Sequence, residues 1–159
     1  MKKIFEQINL GNLTIKNILI RSATMEFGTT EDGRITEKYI ELYKSLALGG
    51  AGLLITGAFS VNSDSQVKKD MVNIYDDKFI DTFSNVTDIV HKYESKIIPQ
   101  LAHGGLISMA SSSNMRLGPS EIIEGKEMSI NDIKKVINDF SIAADRCRQA
   151  GADGIQNIF

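Results

Sequence analysis

The stretch Ala51-Gly52-Leu53-Leu54-Ile55-Thr56-Gly57-Ala58 decides the fold. It is apolar throughout instead of alternating, which marks a parallel strand covered on both faces. A parallel neighbour needs a long crossover, most simply a helix. Both flanks supply one. Upstream, Thr36 stands as the cap of a helix predicted from Glu37 to Leu48, with apolar residues at Tyr39, Ile40, Leu42, Tyr43, Leu46 and Ala47, and Gly49-Gly50 ends it. Downstream, Phe79, Ile80, Phe83, Val86, Ile89 and Val90 repeat the helical period across Asp77–Tyr93.

The same alternation continues in both directions. Ile18–Ala23 reads as a compact apolar strand, Lys96–Leu101 as another, and Gly154–Phe159 as the start of a fourth. Ser129-Ile130-Asn131-Asp132 opens a third helix that runs to Ala150. Ahead of the first strand, Ile8–Leu10 and Leu13–Ile15 flank Gly11-Asn12 as a hairpin, and a loop rich in Gly, Ser and Met fills 102–127. Repeated strand and helix imply a parallel sheet with right-handed crossovers. An eightfold β/α barrel needs ~250 residues, so the expectation is its N-terminal half. The last ten residues, Ala150–Phe159, read as a helix end, a Gly turn and a strand just beginning, which makes residues 1–159 a single partial domain.

Bulk composition narrows the function classes. Apolar content of 42% and charged content of 24% are ordinary for a globular chain. A net charge of −2 leaves no basic footprint for nucleic acid. No apolar run approaches the roughly 20 residues of a membrane span, and the N-terminus lacks an apolar signal core. The single cysteine, Cys147, lies in a helical pattern and reads as buried filler; lacking a partner, it fits a cytoplasmic setting.

In sheets of this type, functional residues gather at the carboxyl ends of the strands. Three ends are readable: Ser22-Ala23-Thr24-Met25-Glu26-Phe27, Thr56-Gly57-Ala58, and Gln100-Leu101-Ala102-His103-Gly104-Gly105. Small residues at two of them let a flat ring approach the backbone. Gln100 offers a donor and an acceptor on one amide, the pattern a pyrimidine-like edge requires. No G-x-G-x-x-G follows a strand, and neither His91 nor His103 has metal-ligand spacing. His91 reads as a surface or boundary residue. His103 is either a structural hydrogen-bonding residue or part of the site lining.

These ends, in this order, resemble the old yellow enzyme family of FMN-dependent oxidoreductases. Leu10–Asn17 is similar to the family's opening "iGnLtlkNR", and Arg21–Glu26 to the first-strand motif of its enoate and dienoyl-CoA reductase-like branch. Gly49–Gly57 resembles "GGaGLIit", Pro99–Gly105 "QLaHaGR", and Ala150–Gln156 "AGfDGVei". The resemblance implies an eightfold barrel with FMN at its C-terminal mouth. It places Ser22, Ala23, Thr24 and Met25 along the flavin's redox-active edge, Ala58 beside the ring and Gln100 at its pyrimidine end. Phe27 falls where many members carry a substrate-contacting Tyr, without the hydroxyl.

The family passes hydride from NAD(P)H through FMN to an activated alkene of the enoate or enone type. A His pair just past the fourth strand, or a His and an Asn, holds that small-molecule substrate. Here the stretch reads Gln156-Asn157-Ile158-Phe159, so no catalytic residue is assigned. The expectation is one wall of an FMN site, inactive alone, whose exposed sheet edges pair with a second copy or a complementary C-terminal half. Two rival readings stand beside it: a non-catalytic half-barrel that self-associates, and a complete small α/β binding protein.

Overall fold

In a computed structural model, residues 3–109, 116–121, 123 and 125–158 are described. Strands β1 (Ile8–Leu10) and β2 (Leu13–Ile15) form the expected antiparallel hairpin, paired Leu10 to Leu13 across Gly11-Asn12. Next come β3 (Ile20–Arg21), α1 (Glu37–Leu48), β4 (Leu53–Ser60), β5 (Val72–Asn73), α2 (Ile80–His91) and β6 (Lys96–Ala102). The chain finishes with β7 (Arg116–Gly118), β8 (Gly125–Glu127), α3 (Ile130–Gln149) and β9 (Gln156–Ile158). The main sheet is parallel in the order β3-β4-β6-β9, with β5 added beside the end of β4. That is half the ring of a β/α barrel.

One face of the sheet is sealed by helices. Leu54, Phe59, Ile97 and Leu101 point into a core with Tyr39, Tyr43 and Ala47 of α1, Phe83, Val86 and Val90 of α2, and Phe140, Ala143 and Cys147 of α3. At roughly 2 kcal/mol for each large side chain buried, this layer supplies most of the driving force. Burial pushes the Cys147 thiol up to about 12, so the sulfur is inert packing. The opposite face is open: Ile55, Ile98 and Gln100 are only partly covered. Among the described residues, no helix is long and apolar enough to cross a membrane.

Three local details differ from the sequence reading, each for a physical reason. The first strand of the sheet pairs over two residues, not six, because beyond Arg21 the chain leaves β4 and crosses over Gly57. Thr36 precedes α1 but does not cap it; its hydroxyl donates to the Gly28 carbonyl at 2.8 Å and closes the preceding loop. The Asp77–Tyr93 segment begins as a short 3-10 turn at Asp77–Phe79, capped by Asp76, and becomes α-helical only from Ile80. The 102–127 loop holds the β7–β8 pair; residues 110–115, 122 and 124, like Phe159 of the fourth strand, lie outside the described residues.

The α3 start is as expected. Ser129 Oγ accepts the Asp132 N–H at 3.2 Å and the Asp132 carboxylate accepts the Ser129 N–H at 2.9 Å, a complete capping box.

Candidate functional site

The central strands carry one irregularity that organises everything at their carboxyl ends. Ile55 pairs with Ile98, but the next recorded pair is Ala58 with Gln100, so β4 holds one residue more than β6 across this gap. Opposite the extra residue stands Pro99, which has no N–H to donate and is tolerated inside a sheet mainly at such bulges. The Thr56 hydroxyl fills the gap by accepting the Gln100 N–H at 3.2 Å. The bulge moves Ala58 onto the open face that it would otherwise turn away from, and leaves Phe59 on the helix side.

Ala58, Gln100 and Gln156 are consequently register neighbours in one row across β4, β6 and β9. The Gln100 Nε2 donates to the Gln156 Oε1 at 2.8 Å, and both amides keep hydrogen-bonding capacity toward the open face. Val67 packs over Ala58, Met71 and Ala102, so the loop after β4 borders the row. Hydrogen bonds hold that loop at Ser65, whose carbonyl takes the Gly104 N–H at 2.8 Å, and at Gln66, whose amide donates to Asn73 at 2.6 Å.

On the β3 side, Thr24–Glu26 runs directly over Gly57. A Cβ at Gly57 would stand 2.5 Å from the Thr24 carbonyl oxygen and 2.8 Å from the Met25 Cα, so only glycine fits. The space that the sequence offered to a flat ring at Gly57 is thus filled by the chain itself, and the approach left open is at Ala58. Ser22, Thr24 and Met25 are exposed along this segment and Ala23 is half-buried. The Phe27 ring is 44% exposed, with the Lys68 Nζ 4.8 Å from its centroid.

Beneath the segment lies a polar corner that sequence reading missed. The Glu26 carboxylate pairs with the Arg21 guanidinium and accepts from the Tyr43 hydroxyl and the Gly57 N–H, both at 3.1 Å. Arg21 also donates to the Ile55 carbonyl at 2.9 Å. Burial raises the pKa of the Tyr43 phenol, keeping it a neutral donor. The available signal was an arginine and a glutamate five residues apart around small residues, and that pattern does not by itself reveal the fold-back that joins them.

The histidines separate. His103 Nδ1 accepts the Gly105 N–H at 3.1 Å, and burial lowers its pKa, so the ring sits neutral and turns the backbone after β6. His91 is at the opposite end of the sheet, a boundary residue, with Nε2 2.7 Å from the Asp153 carboxylate. Asp153 also takes Lys96 Nζ at 2.8 Å and the Ile97 N–H at 2.9 Å. Among the described residues, no three His, Cys, Asp or Glu side chains are grouped to hold a metal ion.

The donors fit the flat end of a flavin and not its phosphate. A small residue and a linked pair of amides suit a ring edge of alternating N–H and carbonyl groups. The side chains of the row, Ala58, Gln100 and Gln156, carry no positive charge to meet a phosphate.

Comparison with known proteins identifies the family and the fold. The profile of the NADH:flavin oxidoreductase / NADH oxidase family matches residues 3–158. An N,N-dimethylglycine/sarcosine dehydrogenase of Chromohalobacter salexigens is 38% identical over 96% of this chain and 24% of its own length. The NADPH dehydrogenase of Bacillus subtilis is 32% identical over 98% of this chain and 47% of its own. The crystal structure of Old Yellow Enzyme from Pichia sp. AKU4542 superposes with a TM-score of 0.89 at 24% identity, covering 97% of this chain and 45% of that one, which shows the fold. This chain therefore spans half or less of the length of these relatives. By sequence, the chain belongs to the NADH:flavin oxidoreductase / NADH oxidase family, and its fold is that of the N-terminal half of Old Yellow Enzyme.

Proposed function

We propose that this chain forms one wall of the FMN site of an NAD(P)H-dependent oxidoreductase, one that reduces activated alkenes of the enoate or enone class. The observation that carries the reading is the row Ala58–Gln100–Gln156 beside the exposed Ser22–Met25 segment. FMN, when bound, supplies the hydride relay between nicotinamide and acceptor. The chain's residues bind and orient: Gln100 holds the pyrimidine end, Ala58 lets the ring lie flat, and Ser22, Ala23, Thr24 and Met25 flank the edge where hydride leaves. Phe27 shapes the substrate side.

Two consequences belong to the same proposal. One wall of a flavin site does not hold and polarise a substrate carbonyl by itself, so this polypeptide alone is inactive toward enones. The borders β3 and β9 each have one strand neighbour among the described residues and expose Ile18, Leu19, Ile20 and Ile158. They are covered by a complementary C-terminal half or by a second copy.

A second reading, oxidation of an N-methylated amine, draws support from the 38% identity to the dimethylglycine/sarcosine dehydrogenase. The two readings differ in the direction of hydride flow, toward flavin from the amine or from flavin to the alkene.

The test is an FMN titration of the isotope-labelled chain followed by amide chemical shifts. Perturbations centred on residues 22–25, 58 and 100 are expected, with weak affinity because phosphate contacts are few. Shifts scattered elsewhere, or none at millimolar FMN, would defeat the reading in favour of a non-catalytic half-barrel.

A further inference from the structure

The Gln156 side chain has no structural duty of its own. It lies on the border strand β9, exposed, and it accepts a hydrogen bond from the Gln100 amide. A glutamine amide is free to rotate about its last torsion and to exchange its oxygen for its nitrogen. Unrestrained, Gln100 would present either end to a ligand and lose that freedom on binding. The contact with Gln156 couples the two amides: in the arrangement observed, with Nε2 donating to Gln156 Oε1, the Gln100 carbonyl oxygen is turned away from that contact and takes no hydrogen bond from another described residue. From the register, Ala58 flanks Gln100 on its other side, and its methyl group offers no competing hydrogen bond.

We infer that Gln156 is a positioning residue, which fixes the Gln100 amide with its oxygen presented as an acceptor to a ring N–H of the imide class. This rests on the proposed flavin reading and deepens it, since it assigns a polarity to the recognition that Gln100 alone leaves undefined. Gln156 meets the requirement by accepting, and any acceptor at that place would do. The residue's second amide hydrogen-bonding group is not needed. A carboxylate, which only accepts, should therefore serve as well as the amide, whereas an apolar side chain of similar volume should not.

The test uses the full chain with riboflavin, which has the imide ring and no phosphate, so the affinity read is that of the ring. Side-chain ¹⁵N amide signals of Gln100 report the contact, and protein shifts at Ala58 and Gln100 give the dissociation constant. In Gln156→Leu the Gln100 side-chain signals move in the absence of ligand, and riboflavin binds about fivefold more weakly, the value of one neutral hydrogen bond. Gln156→Glu restores affinity to within about twofold of the parent, by the same reckoning. A merely structural role would not give this split, because both variants leave β9 on the sheet border with its backbone pairing unchanged. Equal affinity in Gln156→Leu and parent overturns the inference while leaving the flavin reading intact, as does a Gln156→Glu variant as weak as the leucine one. Absence of any riboflavin effect at Gln100 in the parent chain overturns both.

Discussion

Two strand ends, a few residues apart, handle polar groups in opposite ways. At the β3–β4 corner, Glu26 and Arg21 spend their hydrogen bonds on each other, on Tyr43 and on the backbone of Gly57 and Ile55. At the β6–β9 end, Gln100 and Gln156 make one bond together and leave the rest of their capacity facing the open side. The difference separates architecture from recognition. A charged pair enclosed under a chain crossing must be satisfied internally or it costs several kcal/mol. A neutral amide at an exposed face loses little by waiting for a partner. The corner therefore shapes the segment that the row would work beside.

The sharpest way to break this contrast is Glu26→Ala. It leaves Arg21 enclosed without its counter-charge and the Gly57 N–H without an acceptor, and should cost about 3 kcal/mol in urea unfolding, the low end for a broken buried pair. Gly57→Ala tests the same corner sterically. Its methyl meets the Thr24 carbonyl, so the crossing must shift, at a cost of about 2 kcal/mol with shift changes confined to residues 22–27.

A third cluster, at the far end of the sheet, sharpens the comparison through pH. Burial raises the Asp153 pKa, yet bonds from Lys96, His91 and the Ile97 N–H outweigh it and leave the carboxyl below the ordinary 3.8. A folded-state pKa below the unfolded one contributes stability that is present above pH 3.8 and is lost as pH falls through the lowered folded value. Asp153→Asn should flatten the acid limb of the stability curve below pH 4 or so and barely alter its slope at neutral pH. Smallest in stability is Gln100→Leu. It should change unfolding by less than about 0.5 kcal/mol, as a partly exposed residue away from the packed core, while abolishing the riboflavin-induced shift at Ala58. A large loss of stability in Gln100→Leu, with none in Glu26→Ala, would reverse the assignment of the two ends.

Much of this was legible in the chain. A continuous apolar run at 53–58 announced a strand buried in the sheet, Lys96–Leu101 read as its neighbour, and the bounds of α1 and the start of α3 follow from helical periodicity and from Ser129 and Asp132. Ala58 and Gln100 were legible as site candidates, because strand-end position and side-chain chemistry are local properties. The corner and the bulge were not, because each depends on contacts between segments. Pro99 in the middle of β6 was the clue to the bulge, since a central strand rarely accommodates a residue with no N–H. Gln156 had no local signal at all; its meaning comes from register with Gln100.

The extra residue in β4 also bears on how this region can vary in length. Between Leu54 and Phe59, both on the helix side, the chain advances five positions, whereas Ile97 to Leu101 opposite advances four. Removing a single codon for Thr56 or Gly57 would restore strict alternation opposite Ile98–Gln100 and leave Ala58 and Phe59 on the surfaces they now occupy, at the loss of the Thr56 bond to the Gln100 N–H or of the close crossing at Gly57. The bulge is thus a place where β4 can lose a residue without turning its neighbours over, and natural relatives should differ in strand length here more readily than along the evenly paired Leu53–Ile55.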